Sequence, residues 1–135
     1  MALYRCGGGG TITRTTLWTN NSPTSSFALQ TVNLTSGLSN YDYVMVKYRC
    51  STSNSTTWES GMVKVSDFSA SGGSSYPLSR PLWIGTKTNS SDNYSRAVNY
   101  DSNTSIQFSG CVKFAATTTA NTYCIPLEII GVKIS

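Results

Sequence analysis

The sequence predicts an all-β domain, an antiparallel β-sandwich or jelly roll of about nine strands. Three observations carry this. Of 135 residues, 22 are Ser, 18 Thr, 11 Gly and 10 Asn, which favours strands and turns. Only Glu59 represents Glu in the first 100 residues, too few for the i,i+4 pairs of surface helices. Apolar runs recur at about 8–14 residues between polar turns, with no helical period and no internal repeat.

The chain opens with a glycine run at Gly7–Gly10, so residues 1–10 read as a flexible lead and 11–135 as a single domain. No Lys-Ser/Thr follows the glycines, which excludes a phosphate loop. Thr11–Thr13 and Thr15–Thr19 read as strand, and Pro23 closes the following turn. Phe27–Leu34 is a strand of imperfect alternation. Tyr41–Cys50 alternates most clearly, with Val44, Val46 and Tyr48 on one face and Tyr43, Met45 and Lys47 on the other, as in mid-sheet. Thr57–Glu59 leads to Met62–Val65, whose Val63 and Val65 point inward. Phe68–Tyr76 reads as a long exposed loop. Leu82–Lys87, Tyr94–Tyr100, Thr104–Phe108 and Cys111–Phe114 follow as strands. Tyr123–Ile125 and Leu127–Ile134 end the chain, and Pro126 between them implies an edge strand or a kink.

Composition excludes several chemistries. The chain has no histidine, so Ser-His-Asp and Cys-His nucleophilic machinery and histidine zinc sites are ruled out. Ten Lys and Arg, scattered singly, give a net charge of +4 without the clustered footprint of a nucleic-acid binder. No run approaches a membrane span, and the N-terminus lacks the apolar core of a signal peptide. Cys6, Cys50, Cys111 and Cys124 form no C-x-x-C pair; free thiols are expected, with a Cys111–Cys124 disulfide left open. Six N-x-S/T sequons, at Asn20, Asn33, Asn54, Asn89, Asn93 and Asn103, are a mild excess in so Ser/Thr-rich a chain.

The six carboxylates are dispersed. Asp92 and Asp101 flank one strand, roughly 26 Å apart at 3.3 Å per residue, too far for a glycosidase pair. Turn chemistry explains both, and neither a metal site nor a cofactor is expected. The aromatics look the most functional. Trp18 and Trp83, each beside Leu in a strand, read as core. Trp58 lies in a polar stretch, and Tyr94 and Tyr100 border Asn/Asp/Ser turns. Trp58, Tyr94 and Tyr100, with Asp92 and Asn93, are therefore the candidate ligand-binding residues. Aromatic faces pack on sugar C–H groups while amides and hydroxyls bind sugar hydroxyls.

The stretch Leu17–Val32, with its L-W-T-N-x-S-P-T-x-x-F motif followed by Q-T-V, carries a resemblance. So do Leu38–Asp42, the strand Val44–Arg49 and the ending Tyr123–Gly131. From about residue 15 on, the chain resembles C-terminal domains of tail-fibre or tail-associated proteins of phages and prophages of gut Gram-positive bacteria. The resemblance implies a non-enzymatic, virion-associated module at a tail tip. It implies a homotrimer among other virion proteins, binding a bacterial cell-surface polysaccharide or protein receptor. The alternatives are a structural virion protein, in head decoration or tail assembly, and a carbohydrate-binding module.

Overall fold

Alternation along the longer strands gives them an apolar face, and the chain folds by burying those faces against one another. The computed structural model describes residues 2–5, 10–70, 80–89, 91–115 and 118–135. Among them run β1 (Ala2–Arg5), β2 (Thr11–Thr19), β3 (Gln30–Asn33), β4 (Tyr43–Ser51), β5 (Thr57–Glu59) and β6 (Val63–Lys64). A one-turn helix α1 (Val65–Phe68) follows, then β7 (Leu82–Lys87), β8 (Asn93–Ser102), β9 (Ser105–Phe108), β10 (Val112–Lys113) and β11 (Tyr123–Ile134). The six-stranded sheet has the order β1-β2-β11-β4-β5, with β6 also on β4. The five-stranded sheet runs β10-β8-β9-β3, with β7 on the other side of β8. All pairings are antiparallel. This is the all-β sandwich the sequence predicts.

The strand count exceeds nine because short pieces pair too: β6 and β10 are two residues each. Within residues 1–10, read from sequence as a flexible lead, Ala2–Arg5 pairs with Thr11–Arg14; Gly7–Gly9 lie outside the described residues. Thr11–Thr13 and Thr15–Thr19 merge into β2. Phe27 reaches the core from a loop, so the expected strand Phe27–Leu34 shortens to β3. Val63 and Val65 are both buried, but Val65 already belongs to α1, as does the fully buried Phe68. Most of the expected loop Phe68–Tyr76 falls at 71–79, outside the described residues.

Between the sheets lies one core. Leu17, Val44, Val46 and Ile129 of the first sheet meet Leu82, Ile84, Val98, Ile106 and Phe108 of the second. Its aromatic corner packs Trp18 edge-on to Phe27, and Phe27 edge-on to Phe108 with ring centroids 5.3 Å apart. A second cluster, Met45, Ile130 and Val132, is buried on the outer face of the first sheet. The Arg14–Glu59 ion pair joins β2 to β5 on that face, across β11 and β4.

Pro126 does not end β11 or push it to an edge. The strand is central, between β2 and β4, and its register with β4 shifts between Pro126 and Glu128. Such a bulge tolerates a residue without an N–H. Asn20 covers the other side, where its Nδ2 donates to the Pro126 carbonyl (2.8 Å) and its N–H to that of Leu127 (2.8 Å).

Arg96 is the largest fully buried side chain. Its Nε donates to the Cys124 carbonyl (3.0 Å), Nη1 to that of Ser109 (2.7 Å) and Nη2 to that of Tyr123 (3.2 Å). The guanidinium also sits 5.2 Å from the centre of the Phe27 ring. Burial lowers its pKa below the ordinary arginine value.

Replacing Arg96 by Met strips hydrogen bonds from three carbonyls, so urea unfolding should show a loss of about 3 kcal/mol or more with an unchanged m value. Arg96→Lys should recover little, because an ammonium lacks the planar fork. Gly131 lies under the Tyr41 ring, where an added Cβ would come within 2.7 Å of the ring carbons. Gly131→Ala should therefore cost about 1–3 kcal/mol in the same assay.

Candidate functional site

The strand phases decide where each candidate residue lies. In β8, Arg96 and Val98 point into the core, so Tyr94 and Tyr100 share that inward face and are half-buried against it. They stand roughly 20 Å apart, six residues at about 3.3 Å each. Tyr94 stacks flat on Tyr123, with centroids 3.8 Å apart and planes 4° from parallel. Partial desolvation and the hydrogen bond to Tyr123 raise its pKa above 10.0. Tyr100 meets Phe68 edge-on at 6.1 Å. Trp58 belongs to the other sheet, on the edge strand β5, where it leans on Tyr48 at 5.9 Å and remains 40% exposed. Tyr48 in turn donates to the Gly85 carbonyl at 2.7 Å.

Asp92 and Asn93 sit at the start of β8. The Asn89 amide oxygen accepts the N–H groups of Ser91 and Asp92, and Asn89 Nδ2 donates to Asp92 Oδ2 at 2.8 Å. Asp92 Oδ1 pairs with Lys113 Nζ at 2.8 Å. This is an Asx turn held by an ion pair. The structure thus brings Asp92, Asn93 and Tyr94 together but places Tyr100 and Trp58 elsewhere. The five candidate residues do not form one site.

The same phase rule exposes what the sequence reading missed. Leu82, Ile84 and Thr86 of β7 are buried, so Trp83, Gly85 and Lys87 face outward. Trp83, expected in the core, is 60% exposed on the outer face of the five-stranded sheet. Around it lies a groove of about 640 Å³. Leu29 and Val112, also exposed, form its apolar sides. Small residues, Ser95, Ala97 and Gly110, keep it open. Among the described residues, no charged side chain lines it. Trp83 also borders a smaller hollow of about 370 Å³ with Met62 and Arg80 around the sandwich edge.

Polar groups in the groove are partly committed. Ser109 Oγ accepts from the Ala97 N–H (2.8 Å) and donates to the Gly110 carbonyl (3.0 Å). Asn121 Oδ1 accepts the Cys111 N–H at 3.0 Å, which turns its Nδ2 outward as a donor. The hydroxyls of Ser95 and Thr119 are further groove groups able to donate and accept.

A separate hollow of about 640 Å³ holds Tyr41, Asp42 and Lys64. Its carboxylate is occupied: Asp42 Oδ2 accepts the Ile134 N–H at 2.7 Å, and Lys133 lies 3.8 Å from Oδ1. Among the described residues, no cluster of three or more Cys, Asp or Glu is placed to hold a metal ion. No described helix is long and apolar enough to cross a membrane. No protein-family model matches the chain, and no curated protein is significantly similar to it.

The hydrogen bonds from Lys113 and Asn89 hold the Asp92 carboxyl below its ordinary pKa of 3.8. The ion pair therefore contributes fully above that ordinary value and is lost as pH falls through the depressed one. A carboxyl carbon NMR titration should place the Asp92 midpoint below 3.8, and Lys113→Ala should move it upward.

Proposed function

We propose that the chain is a non-enzymatic binding module for a neutral saccharide of a bacterial cell surface, carried on a virion tail. The observation that carries the saccharide reading is the outward Trp83 indole in an uncharged groove edged by Ser95, Thr119 and Asn121. A pyranose presents a C–H face that packs on an indole and a rim of hydroxyls that pair with amides and alcohols. An anionic ligand finds no cation among the described residues of this groove, so the ligand class is neutral hexose or N-acetylhexosamine. The indole replaces Trp58 and Tyr94 as the platform. The tail-tip setting and the trimer rest on the resemblance of Leu17–Val32 and Tyr123–Gly131 to tail-fibre domains. Three copies of a weak site on one trimer raise avidity by roughly 100-fold or more without any new contact.

Calorimetric titration with neutral bacterial oligosaccharides should show weak binding that Trp83→Ala reduces. Losing roughly 80 Å² of apolar contact at about 25 cal/mol/Å² removes about 2 kcal/mol, about thirtyfold in affinity. Trp58→Ala should leave the titration unchanged. Retained binding in Trp83→Ala would place the ligand elsewhere, and a monomer in sedimentation would remove the trimer.

A further inference from the structure

Trp83 is shared by two hollows. On the outer face of the five-stranded sheet it stands in the uncharged groove. At the sandwich edge it closes a hollow of about 370 Å³, formed by Gly61, Met62 and Val63 at the start of β6 and by Arg80 and Pro81 ahead of β7. That volume lies at the small end of ligand sites, about 300–1,000 Å³. Two backbone constraints set where Arg80 stands. Its N–H donates to the Asp67 carbonyl at 2.9 Å, and Pro81 disfavours helical backbone at the residue before it. The side chain is exposed, and among the described residues its guanidinium meets no hydrogen-bond or ion-pair partner. Other arginines are committed: Arg14 pairs with Glu59, Arg49 donates to the Ser51 and Thr52 carbonyls, and Arg96 is spent on three carbonyls.

We propose that this hollow is a second subsite, in which Arg80 binds an oxyanion on the unit next to the neutral sugar stacked on Trp83. The inference rests on the saccharide reading of the groove. A guanidinium presents a planar fork of donors that matches a carboxylate or a phosphate. Three residue steps separate Arg80 from Trp83, at most about 11 Å between Cα atoms, so two linked sugar units reach both. Room for the second unit lies at Gly61, where an added Cβ would meet nothing within 4 Å, and the exposed Met62 gives it an apolar side. The ligand is then a chain with a neutral unit on the indole and an acidic unit beside it, its acid a uronate carboxylate or a phosphate. The two subsites differ in how they respond to salt. Stacking on the indole is unscreened, whereas an exposed guanidinium–oxyanion contact is screened.

Calorimetric titration with two matched pairs of probes tests this. One pair is a hyaluronan tetrasaccharide, which alternates glucuronate and N-acetylglucosamine, and its carboxyl-reduced form. The other is N,N′-diacetylchitobiose with and without a 6-phosphate. The wild type should bind the acidic member of at least one pair about fivefold tighter than its neutral partner, the size of an exposed ion contact. The pair that shows the gain identifies the acid. Raising salt from about 0.01 M to about 1 M shortens the screening length from about 30 Å to about 3 Å, which should erase the gain and leave the neutral probes unchanged. Arg80→Gln should abolish the gain at unchanged neutral affinity, and Arg80→Lys should keep part of it. Gly61→Leu, which fills the hollow and leaves the charge in place, should reduce it. Equal affinities within both pairs, or a gain that survives Arg80→Gln or Gly61→Leu, would overturn the subsite and leave the groove reading standing. Acidic probes that bind Trp83→Ala as tightly as wild type would also overturn it, because the charge would then act without the stacked ring. If no probe binds, the groove reading fails and the subsite with it.

Discussion

The fold depends on how a buried positive charge is answered. Arg96 lies between the sheets, and none of the four ion pairs among the described residues includes it. Its charge is met by three carbonyl oxygens and an aromatic face. An isolated buried charge would cost several kcal/mol; a guanidinium whose N–H groups are shared among fixed dipoles avoids most of that. Those carbonyls belong to Ser109, just after β9, and to Tyr123 and Cys124, the first residues of β11. One side chain of the second sheet thus fixes where the last strand enters the first.

That constraint also shapes the outer surface. With Arg96 pointing in, its neighbours Ser95 and Ala97 must point out, and they form the floor beside Trp83. Ser109, whose carbonyl Arg96 binds, uses its hydroxyl to hold the Ala97 N–H. The groove floor and the buried cation are therefore two faces of one strand, and neither can shift without the other. Gly85, two residues along β7 from Trp83, is also tightly held: its carbonyl accepts from Tyr48, and an added Cβ would come 3.1 Å from the Tyr94 carbonyl.

Much of this was legible in the sequence. The alternation of Tyr43–Cys50 placed β4 mid-sheet with Val44, Val46 and Tyr48 inward, and the alternation of Tyr94–Val98 put Arg96 on the face of Val98. The same rule applied to Leu82–Lys87 would have exposed Trp83, because it shares a phase with Lys87 and opposes Leu82 and Ile84. The Leu82 beside Trp83 in sequence is no guide to its burial, since neighbours in a strand face opposite ways. Trp58, Tyr94 and Tyr100 stand out by the polarity of adjoining turns, which says nothing about the direction of a ring. The strand carrying Pro126 was harder to place. Proline disfavours a central strand, and only the long-range contacts of Asn20 and the bulge against β4 reverse that.

The polar, uncharged composition also divides in two. Much of it is turn chemistry: the side-chain oxygens of Asn20, Asn54 and Asn89 each accept the N–H two residues on, and that of Asn103 accepts the Ser39 N–H. These groups are consumed in shaping loops and offer less to a ligand. The motif around Trp18 and Asn20 is of this kind, because its amide ties the β2–β3 connection to β11. The groove differs in that the fold spends only some of its polar atoms. The Asn121 oxygen is tied to the Cys111 N–H while its amide nitrogen is left to donate. On the proposed saccharide reading, a surface with fixed donors, an exposed indole and no charge among its described lining residues would discriminate by hydroxyl geometry rather than by net charge. Binding there should therefore depend little on ionic strength, since screening acts on charges and this groove presents none.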